Sequence, residues 1–280
     1  MPDGSNDADF RNRATNYQGT LLWLKRTRPS GEVGYASAVR LNSHYALTAG
    51  HVVINGSETN TLNEIGTGIN YLTDPGATRG IAAVTVHPNY VYPPNYTPDI
   101  AIIKFDHPLP GTDLRINSCG ESELISIAGY GRFGTPSTGI ESQDGNARAW
   151  QAPVDFIGPP GFDPALYIRT RFSIEIWPTL PSNGKGVSGD SGGPCYNSSN
   201  ELVGIDTAQT GGVLTHGKML PGAGVHQGFV DSRSKLPSTV KNFRSFSSIT
   251  FFKAKGLSRA CSARSRVFVA WATSGLSSNR

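Results

Sequence analysis

Short hydrophobic stretches separated by turn-forming residues recur along most of the chain. Eight of them are rich in β-branched or aromatic residues, which is typical of β-strands. Their connections are rich in Gly, Pro, Asn and Asp, and no long helical pattern lies between them, so the sequence predicts an all-β sandwich or barrel. The eight stretches are Gly19–Leu24, Tyr35–Leu41, Tyr45–Ala49, Ala82–His87, Ile100–Phe105, Leu124–Gly129, Leu166–Thr170 and Leu202–Ala208.

A division of the chain follows from these stretches. Residues 1–16 form a polar N-terminal segment, in which Ala8–Asn16 has a weak helical pattern. The β-rich body spans residues 17–240, with a boundary between two sheet domains expected within residues 107–122. A second weak helical pattern covers Lys235–Phe243. Residues 241–280 are basic and rich in Ser, and this composition favours a disordered tail. A sorting or anchoring tail and an aberrant reading of the gene are the alternatives.

The charge distribution limits the possible partners. The net charge is +4, but ten Lys and Arg and no Asp or Glu lie between Ser232 and Arg280. The preceding 231 residues hold 15 basic and 21 acidic residues. Because nucleic-acid binding needs a basic surface on the folded body, we expect no nucleic-acid partner. No apolar run approaches 18 residues, so no membrane span is predicted. Met1–Asp9 also lacks the apolar region of a signal peptide.

The strongest chemical signal is Gly-Asp-Ser-Gly-Gly-Pro at residues 189–194. A nucleophilic serine needs small neighbours at a sharp turn, and backbone N–H groups that face a developing oxyanion. Both requirements favour backbone conformations that glycine adopts easily. Gly189, Gly192 and Gly193 supply them around Ser191, and Asp190 can hold the loop in place if a cation reaches it. Ser191 is therefore the predicted nucleophile.

Two further segments supply a base and a carboxylate. Within Ala46–Val53, an apolar strand runs into His51, whose small neighbours leave the imidazole room to move between nucleophile and leaving group. Within Pro98–Phe105, Asp99 precedes an apolar strand, and a buried carboxylate needs a polar partner. The Nδ1–H of a histidine is such a partner, and the pairing fixes the tautomer. Each signal alone has a structural explanation, but together they predict a catalytic triad.

The three segments resemble the signature of the trypsin/chymotrypsin-like serine proteases. They follow the family's order of His, Asp and Ser, with 48 residues from His51 to Asp99 and 92 from Asp99 to Ser191. The resemblance spans roughly residues 17–230. It implies two six-stranded antiparallel barrels with the active site between them. The implied activity is that of a serine endopeptidase that forms an acyl-enzyme.

The resemblance also assigns further residues. It implies an oxyanion hole formed by the N–H groups of Gly189 and Ser191, and a specificity pocket lined by Lys185, Gln209 and Gly224. Trypsin-like enzymes have an acidic residue at the position of Lys185. We therefore expect no cleavage after Arg or Lys and a weak preference for acidic or polar side chains. The alternative is that Lys185 points to solvent.

The sequence departs from the family pattern at its start and in its cysteines. Pro2–Gly19 resembles the opening of mature bacterial members, but no Ile-Val-Gly-Gly is present. The expectation is that the mature chain starts at or just before Met1, or that Asp190 has another cationic partner. Val52 follows His51, so the family's histidine-loop disulfide is absent. Cys119 and Cys195 either form a bridge or remain buried free thiols, and Cys261 stays unassigned.

Two other functions agree with parts of the sequence. An α/β-hydrolase esterase also has a Gly-x-Ser-x-Gly sequence, but its triad runs Ser, acid, His along the chain, and no crossover helices are predicted here. A non-catalytic homologue that binds a partner is favoured by the missing activation sequence and opposed by the presence of all three triad residues.

The remaining histidines lack zinc-binding spacing, so neither a metal nor a cofactor is expected. We expect a monomer that acts on a protein or peptide substrate and is secreted or periplasmic.

Overall fold

The body of the protein consists of two closed, six-stranded antiparallel barrels. The computed structural model describes residues 1–92, 97–157, 167–171, 184, 186–211 and 222–228. Two antiparallel barrels confirm the predicted fold class and exclude the parallel sheet of an α/β-hydrolase. Residues 106–123 connect the last strand of the first barrel to the first strand of the second.

The first barrel has the strand order β1-β2-β3-β8-β7-β6. A short helix and a small two-stranded sheet lie between its third and fourth strands in the chain. The bounds are β1 (Leu21–Thr27), β2 (Val33–Asn42), β3 (Tyr45–Thr48), α2 (Gly50–Val53), β4 (Ile54–Asn55), β5 (Glu58–Thr59), β6 (Thr61–Gly66), β7 (Thr78–Val86) and β8 (Ala101–Phe105).

The second barrel has the strand order β12-β13-β16-β15-β14-β9. A small hairpin with two residues in each strand follows its first strand. The bounds are β9 (Leu124–Gly129), β10 (Gly134–Thr135), β11 (Gly139–Ile140), β12 (Arg148–Ile157), β13 (Tyr167–Arg171), β14 (Pro194–Tyr196), β15 (Leu202–Gly211) and β16 (Gly222–Gly228).

All eight hydrophobic stretches of the sequence overlap strands, but several strands were not predicted. The longest of these are β6, β12 and β16. The weak helical pattern at Lys235–Phe243 and the predicted tail over residues 241–280 lie outside the described residues. No helix in the described ranges is long and apolar enough to cross a membrane.

Inward-facing apolar side chains fill both barrels. Leu24, Leu47 and Ile103 in the first barrel and Ile127 and Val203 in the second are fully buried. Burial of one such side chain stabilises the fold by about 1.5–3 kcal/mol. Consecutive positions are buried in β1, β3, β8 and β9, which accounts for the continuous hydrophobic stretches in the sequence.

The polar N-terminal segment forms a helix, α1 (Asp7–Ala14), followed by a 3₁₀ turn at Thr15–Tyr17. The side chain of Asn6 caps α1 by accepting a hydrogen bond from the N–H of Ala8, which satisfies one of the free donors at the helix start. Phe10 is 2% exposed and packs in the core of the second barrel. Phe10 and the buried Ala14 anchor a segment that is otherwise largely polar.

Candidate active site

The ends of two neighbouring strands bring His51 and Asp99 together. β3 pairs with β8 through Thr48 and Ala101. The chain leaves β3 at Thr48 and enters α2, which carries His51, while Asp99 lies two residues before β8. The N–H of His51 donates to Oδ1 of Asp99 at 2.8 Å, and His51 Nδ1 lies 2.7 Å from Oδ2. Asp99 is fully buried, so these bonds compensate for the loss of its hydration.

The hydroxyl of Ser191 comes from the second barrel, on the loop that precedes β14. Its Oγ lies 2.8 Å from Nε2 of His51. With the Nδ1 proton directed to Asp99, Nε2 is an acceptor for the hydroxyl proton, a tautomer assigned from the hydrogen-bond network. An imidazole placed between a hydroxyl and a carboxylate can take the hydroxyl proton while the carboxylate stabilises the resulting cation.

The protonation of His51 reflects two opposing effects. Burial alone lowers the pKa of the imidazole. The charge and the hydrogen bond of Asp99 together raise it by a larger amount, so the net pKa lies above its ordinary value of 6.5. The side chain of His51 is still 21% exposed, so the site is open to solvent at the imidazole. The raised pKa makes the imidazole a stronger acceptor for the hydroxyl proton, as general base catalysis requires.

Glycine is required at position 189. Gly189 has φ +102°, a conformation that other residues rarely adopt. A Cβ at this position would also overlap the side-chain amide of Gln143 and lie 2.8 Å from Cα of Gly131. The loop before Ser191 therefore depends on glycine for both its conformation and its close packing.

Neighbouring hydrogen bonds orient two backbone N–H groups of this loop. The C=O of Ser188 accepts from the N–H of Arg132 at 2.9 Å, and the C=O of Asp190 accepts from Gly193 at 2.8 Å. In a trans peptide the N–H points opposite to the C=O. The N–H groups of Gly189 and Ser191 therefore point away from Arg132 and Gly193, the residues that donate to these two carbonyls. Neither N–H donates to another residue that the structure describes. They remain available to an oxyanion.

Asp190 is held by backbone donors. Its carboxylate accepts from the N–H of Gly131 and of Val187, both at 2.8 Å. Burial and, secondly, the charge of Asp206 raise the pKa of Asp190 to about 7. Within the described residues Asp190 forms no ion pair; the α-amino group of Met1 lines the same cavity and donates to the C=O of Gly134 at 2.9 Å. The expected cation is therefore close to Asp190, but bonded elsewhere.

Comparison with known proteins places this constellation in a family. The family model of the trypsin-like peptidase domain matches residues 36–205, a range that includes all three side chains. The chain belongs to the trypsin-like peptidase family. This confirms the resemblance found in the sequence. No curated protein sequence matches this trypsin-like peptidase.

Solved structures share the fold at low sequence identity. HL collagenase has a TM-score of 0.58 and 18% identity, over 81% of this chain and 94% of its own. An inactivated protease paralogue of the scabies mite has a TM-score of 0.53 and 18% identity, over 77% and 91%. Glu endopeptidase in complex with MPD has a TM-score of 0.52 and 16% identity, over 76% and 86%. The fold thus occurs in proteases and in an inactivated relative.

The structure describes only part of the predicted specificity pocket of this trypsin-like peptidase. Gln209 on β15 pairs directly with Gly224 on β16. Lys185 lies outside the described residues. Cys119 and Cys195 are free thiols and do not form the bridge that the sequence allowed; Cys195 is fully buried. Cys261 is not among the described residues.

Three residues near the site were not found from the sequence. Tyr90 packs against Gly50 and donates its hydroxyl proton to the C=O of Ile54 at 2.8 Å. Gln143 donates to the C=O of Tyr130 at 2.7 Å, beside the loop that carries the nucleophile. Ser37 contacts the same loop from β2. Each acts through contacts distant in sequence, and none has a local motif that would reveal it.

Proposed function

We propose that this trypsin-like peptidase is a serine endopeptidase with Ser191 as nucleophile, His51 as general base and Asp99 as the orienting carboxylate. Membership of the family supports a peptidase. The serine mechanism rests on one observation, the continuous hydrogen-bonded line from Ser191 Oγ through His51 to Asp99 at 2.8 and 2.7 Å. Nucleophile and base within hydrogen-bond reach, with a third group orienting the base, are the structural requirement for nucleophilic catalysis.

The reaction follows from this geometry. Ser191 Oγ attacks the carbonyl carbon of the scissile peptide bond while its proton passes to Nε2 of His51. The N–H groups of Gly189 and Ser191 bind the oxyanion, and one such donor stabilises the transition state by about 2.7–4 kcal/mol. The imidazolium, stabilised by Asp99, then protonates the leaving amine as the C–N bond breaks.

Hydrolysis of the acyl-enzyme repeats these steps with water. His51 takes a proton from the attacking water molecule, and the oxyanion again forms at the same two N–H groups. Collapse of this intermediate returns the proton to Ser191 Oγ and releases the carboxylic acid. No metal or cofactor takes part in this scheme.

Substrate preference is a second part of the proposal. The family pattern assigns Lys185 to the base of the pocket, where its charge would repel Arg and Lys side chains and favour acidic or polar ones at the cleaved position. The support is the position of Lys185 in the sequence, six residues before Ser191. A peptide-library cleavage profile dominated by Arg or Lys would contradict it, and Lys185→Ala should weaken any acidic preference.

Labelling with a fluorophosphonate tests the mechanism. The expected result is one covalent adduct on Ser191, located by mass spectrometry, together with hydrolysis of fluorescent casein. Ser191→Ala and His51→Ala should abolish both, whereas Ser188→Ala, which alters an exposed neighbouring hydroxyl, should label normally. A folded protein that neither labels nor cleaves casein would favour the non-catalytic binding protein instead.

A further inference from the structure

Ser37 connects the first barrel to the loop that carries Ser191. It lies within β2 and is fully buried. Its Oγ accepts a hydrogen bond from the N–H of Tyr130 at 2.9 Å and donates one to the C=O of Gly189 at 2.9 Å. Its N–H donates to the C=O of Ser191 at 3.0 Å. One residue therefore holds the carbonyl groups on both sides of Asp190.

The bond to Gly189 matters because of the conformation of that glycine. Glycine has little intrinsic preference among backbone conformations, so the peptide that joins residues 189 and 190 depends on its hydrogen bonds for its orientation. Its N–H donates to the C=O of Val187 at 3.0 Å, and its carbonyl accepts from Ser37. The Ser37 hydroxyl is the donor to this carbonyl among the residues that the structure describes. The bond is partly buried and its donor, Ser37, is fully buried, so water replaces it poorly.

We propose that Ser37 is a positioning residue for the oxyanion hole. Its hydroxyl holds the peptide between Gly189 and Asp190, which lies between the two peptides that carry the N–H groups of Gly189 and Ser191. With the bonds that already orient those two peptides, it keeps both N–H groups in the orientation that binds an oxyanion. This inference rests on the proposed serine mechanism. It also means that a side chain of the first barrel organises the oxyanion-binding loop of the second.

Loss of the hydroxyl has a specific structural consequence. Ser37→Ala leaves the buried N–H of Tyr130 and the partly buried C=O of Gly189 without their partner, and the loop is held less firmly. The bond from the Ser37 backbone N–H to the C=O of Ser191 is unaffected. The nucleophile therefore stays near His51, while the oxyanion donors lose one of the bonds that hold their orientation.

A matched control removes a buried hydroxyl elsewhere. Thr20 is 8% exposed, and its hydroxyl bonds to the C=O of Tyr17 at 3.0 Å and to the hydroxyl of Tyr196 at 2.7 Å. Thr20→Val deletes these bonds with little change of volume. It should lower the melting temperature without changing the chemistry at Ser191.

Burst kinetics with p-nitrophenyl acetate and inhibition by phenylboronic acid, which forms a tetrahedral adduct, provide the test. Ser37→Ala should slow acylation about 10- to 100-fold, a smaller effect than the roughly 10²- to 10³-fold loss on deleting one donor. Binding of the boronic acid should weaken in parallel, with KM little changed. Thr20→Val should acylate within about threefold of the wild-type rate.

The outcomes separate the two proposals. Wild-type acylation and boronic acid affinity in Ser37→Ala, or equal losses in Thr20→Val, would overturn the role of Ser37. If the alanine variant does not fold, Ser37→Cys, whose thiol is a weak donor of similar size, must show the slower acylation instead. Absence of a burst in the wild-type protein would overturn the serine mechanism itself.

Discussion

His51 is attached to Asp99 at two points, through its backbone N–H to Oδ1 and through Nδ1 to Oδ2, at 2.8 and 2.7 Å. The double attachment fixes both the main chain and the ring of the histidine relative to one buried carboxylate. Only Nε2 is then directed at Ser191. Orientation of the base is therefore determined before a substrate binds.

Asp99→Asn should lower kcat about 10⁴-fold with little change in KM. The amide offers one oxygen acceptor where two donors of His51 need partners, so its NH₂ group either faces a donor or forces the imidazole into the wrong tautomer. Steady-state hydrolysis of a peptide substrate measures the effect. Asp106→Asn changes a carboxylate that is 41% exposed and should leave kcat unchanged. Retention of full activity by the Asp99 variant would contradict the role of this carboxylate.

Activity should rise with pH through the pKa of His51. Burial lowers this pKa, but Asp99 raises it more, so the midpoint for the free enzyme should lie above 6.5. Below the midpoint the protonated imidazole cannot accept the proton of Ser191. The rate of fluorophosphonate labelling against pH gives the midpoint, and Asp99→Asn should move it to lower pH. A midpoint below 6.5 in the wild-type protein would be inconsistent with the pairing.

The same shift affects stability in the opposite direction. Because the folded state holds the proton of His51 more tightly than the unfolded state, this histidine contributes stability fully below about pH 6.5. The contribution is lost as the pH rises through the folded pKa. The melting temperature of the wild-type protein relative to His51→Ala should therefore fall over the range in which labelling increases.

Alanine substitutions at two glycines should separate backbone strain from steric overlap. Gly31 has φ +88° with no atom within 4 Å of an added Cβ, whereas a Cβ on Gly189 overlaps its neighbours. Gly31→Ala should lower the free energy of unfolding by about 1–2 kcal/mol, the strain of the left-handed conformation alone. Gly189→Ala should cost more and slow labelling at least tenfold. Urea unfolding and labelling rates measure the two effects, and equal unfolding energies would contradict the packing around Gly189.

Arg148 should contribute strongly to stability. Its guanidinium is 7% exposed and binds the carboxylates of both Asp7 and Asp144, joining α1 to β12. Arg148→Met leaves Asp144 without its cation and Asp7 with only the more exposed Arg11. It should lower the free energy of unfolding by more than the loss of a surface pair but by less than the cost of breaking a fully buried pair, which is about 3–5 kcal/mol. The control is Arg28→Met, since Arg28 is 40% exposed and pairs with an exposed Glu32; it should cost less than about 1 kcal/mol. Similar losses in both variants would show that the Arg148 cluster adds nothing beyond a surface pair.

The sequence predicted the strands whose hydrophobic character is strong and local. It did not predict β12, because Pro153 interrupts the pattern and proline disfavours the interior of a sheet. In the structure Pro153 lies near the end of the pairing with β9, opposite Leu124. β16 was missed because Gly222–Gly228 contains little strand-forming sequence, and its place is set by pairing with β13 and β15. Long-range pairing therefore determined the strands that local patterns left out.

The same distinction applies to the site. Ser191, His51 and Asp99 were predicted because each lies in a short motif whose residue types follow from its chemistry. Ser37 lies in an alternating strand sequence where a small polar residue has no evident role. Its significance comes from Tyr130 and Gly189, which are 93 and 152 residues away in the chain. No local window contains both partners.

The division of the catalytic side chains between the barrels has a consequence for how the protein can be inactivated. The imidazole and the carboxylate belong to one half of the chain and the hydroxyl to the other, so neither half expressed alone would carry hydrolytic chemistry. A partial unfolding that separates the two barrels would abolish activity while each barrel kept its secondary structure. Loss of activity should accordingly precede loss of circular dichroism on mild heating.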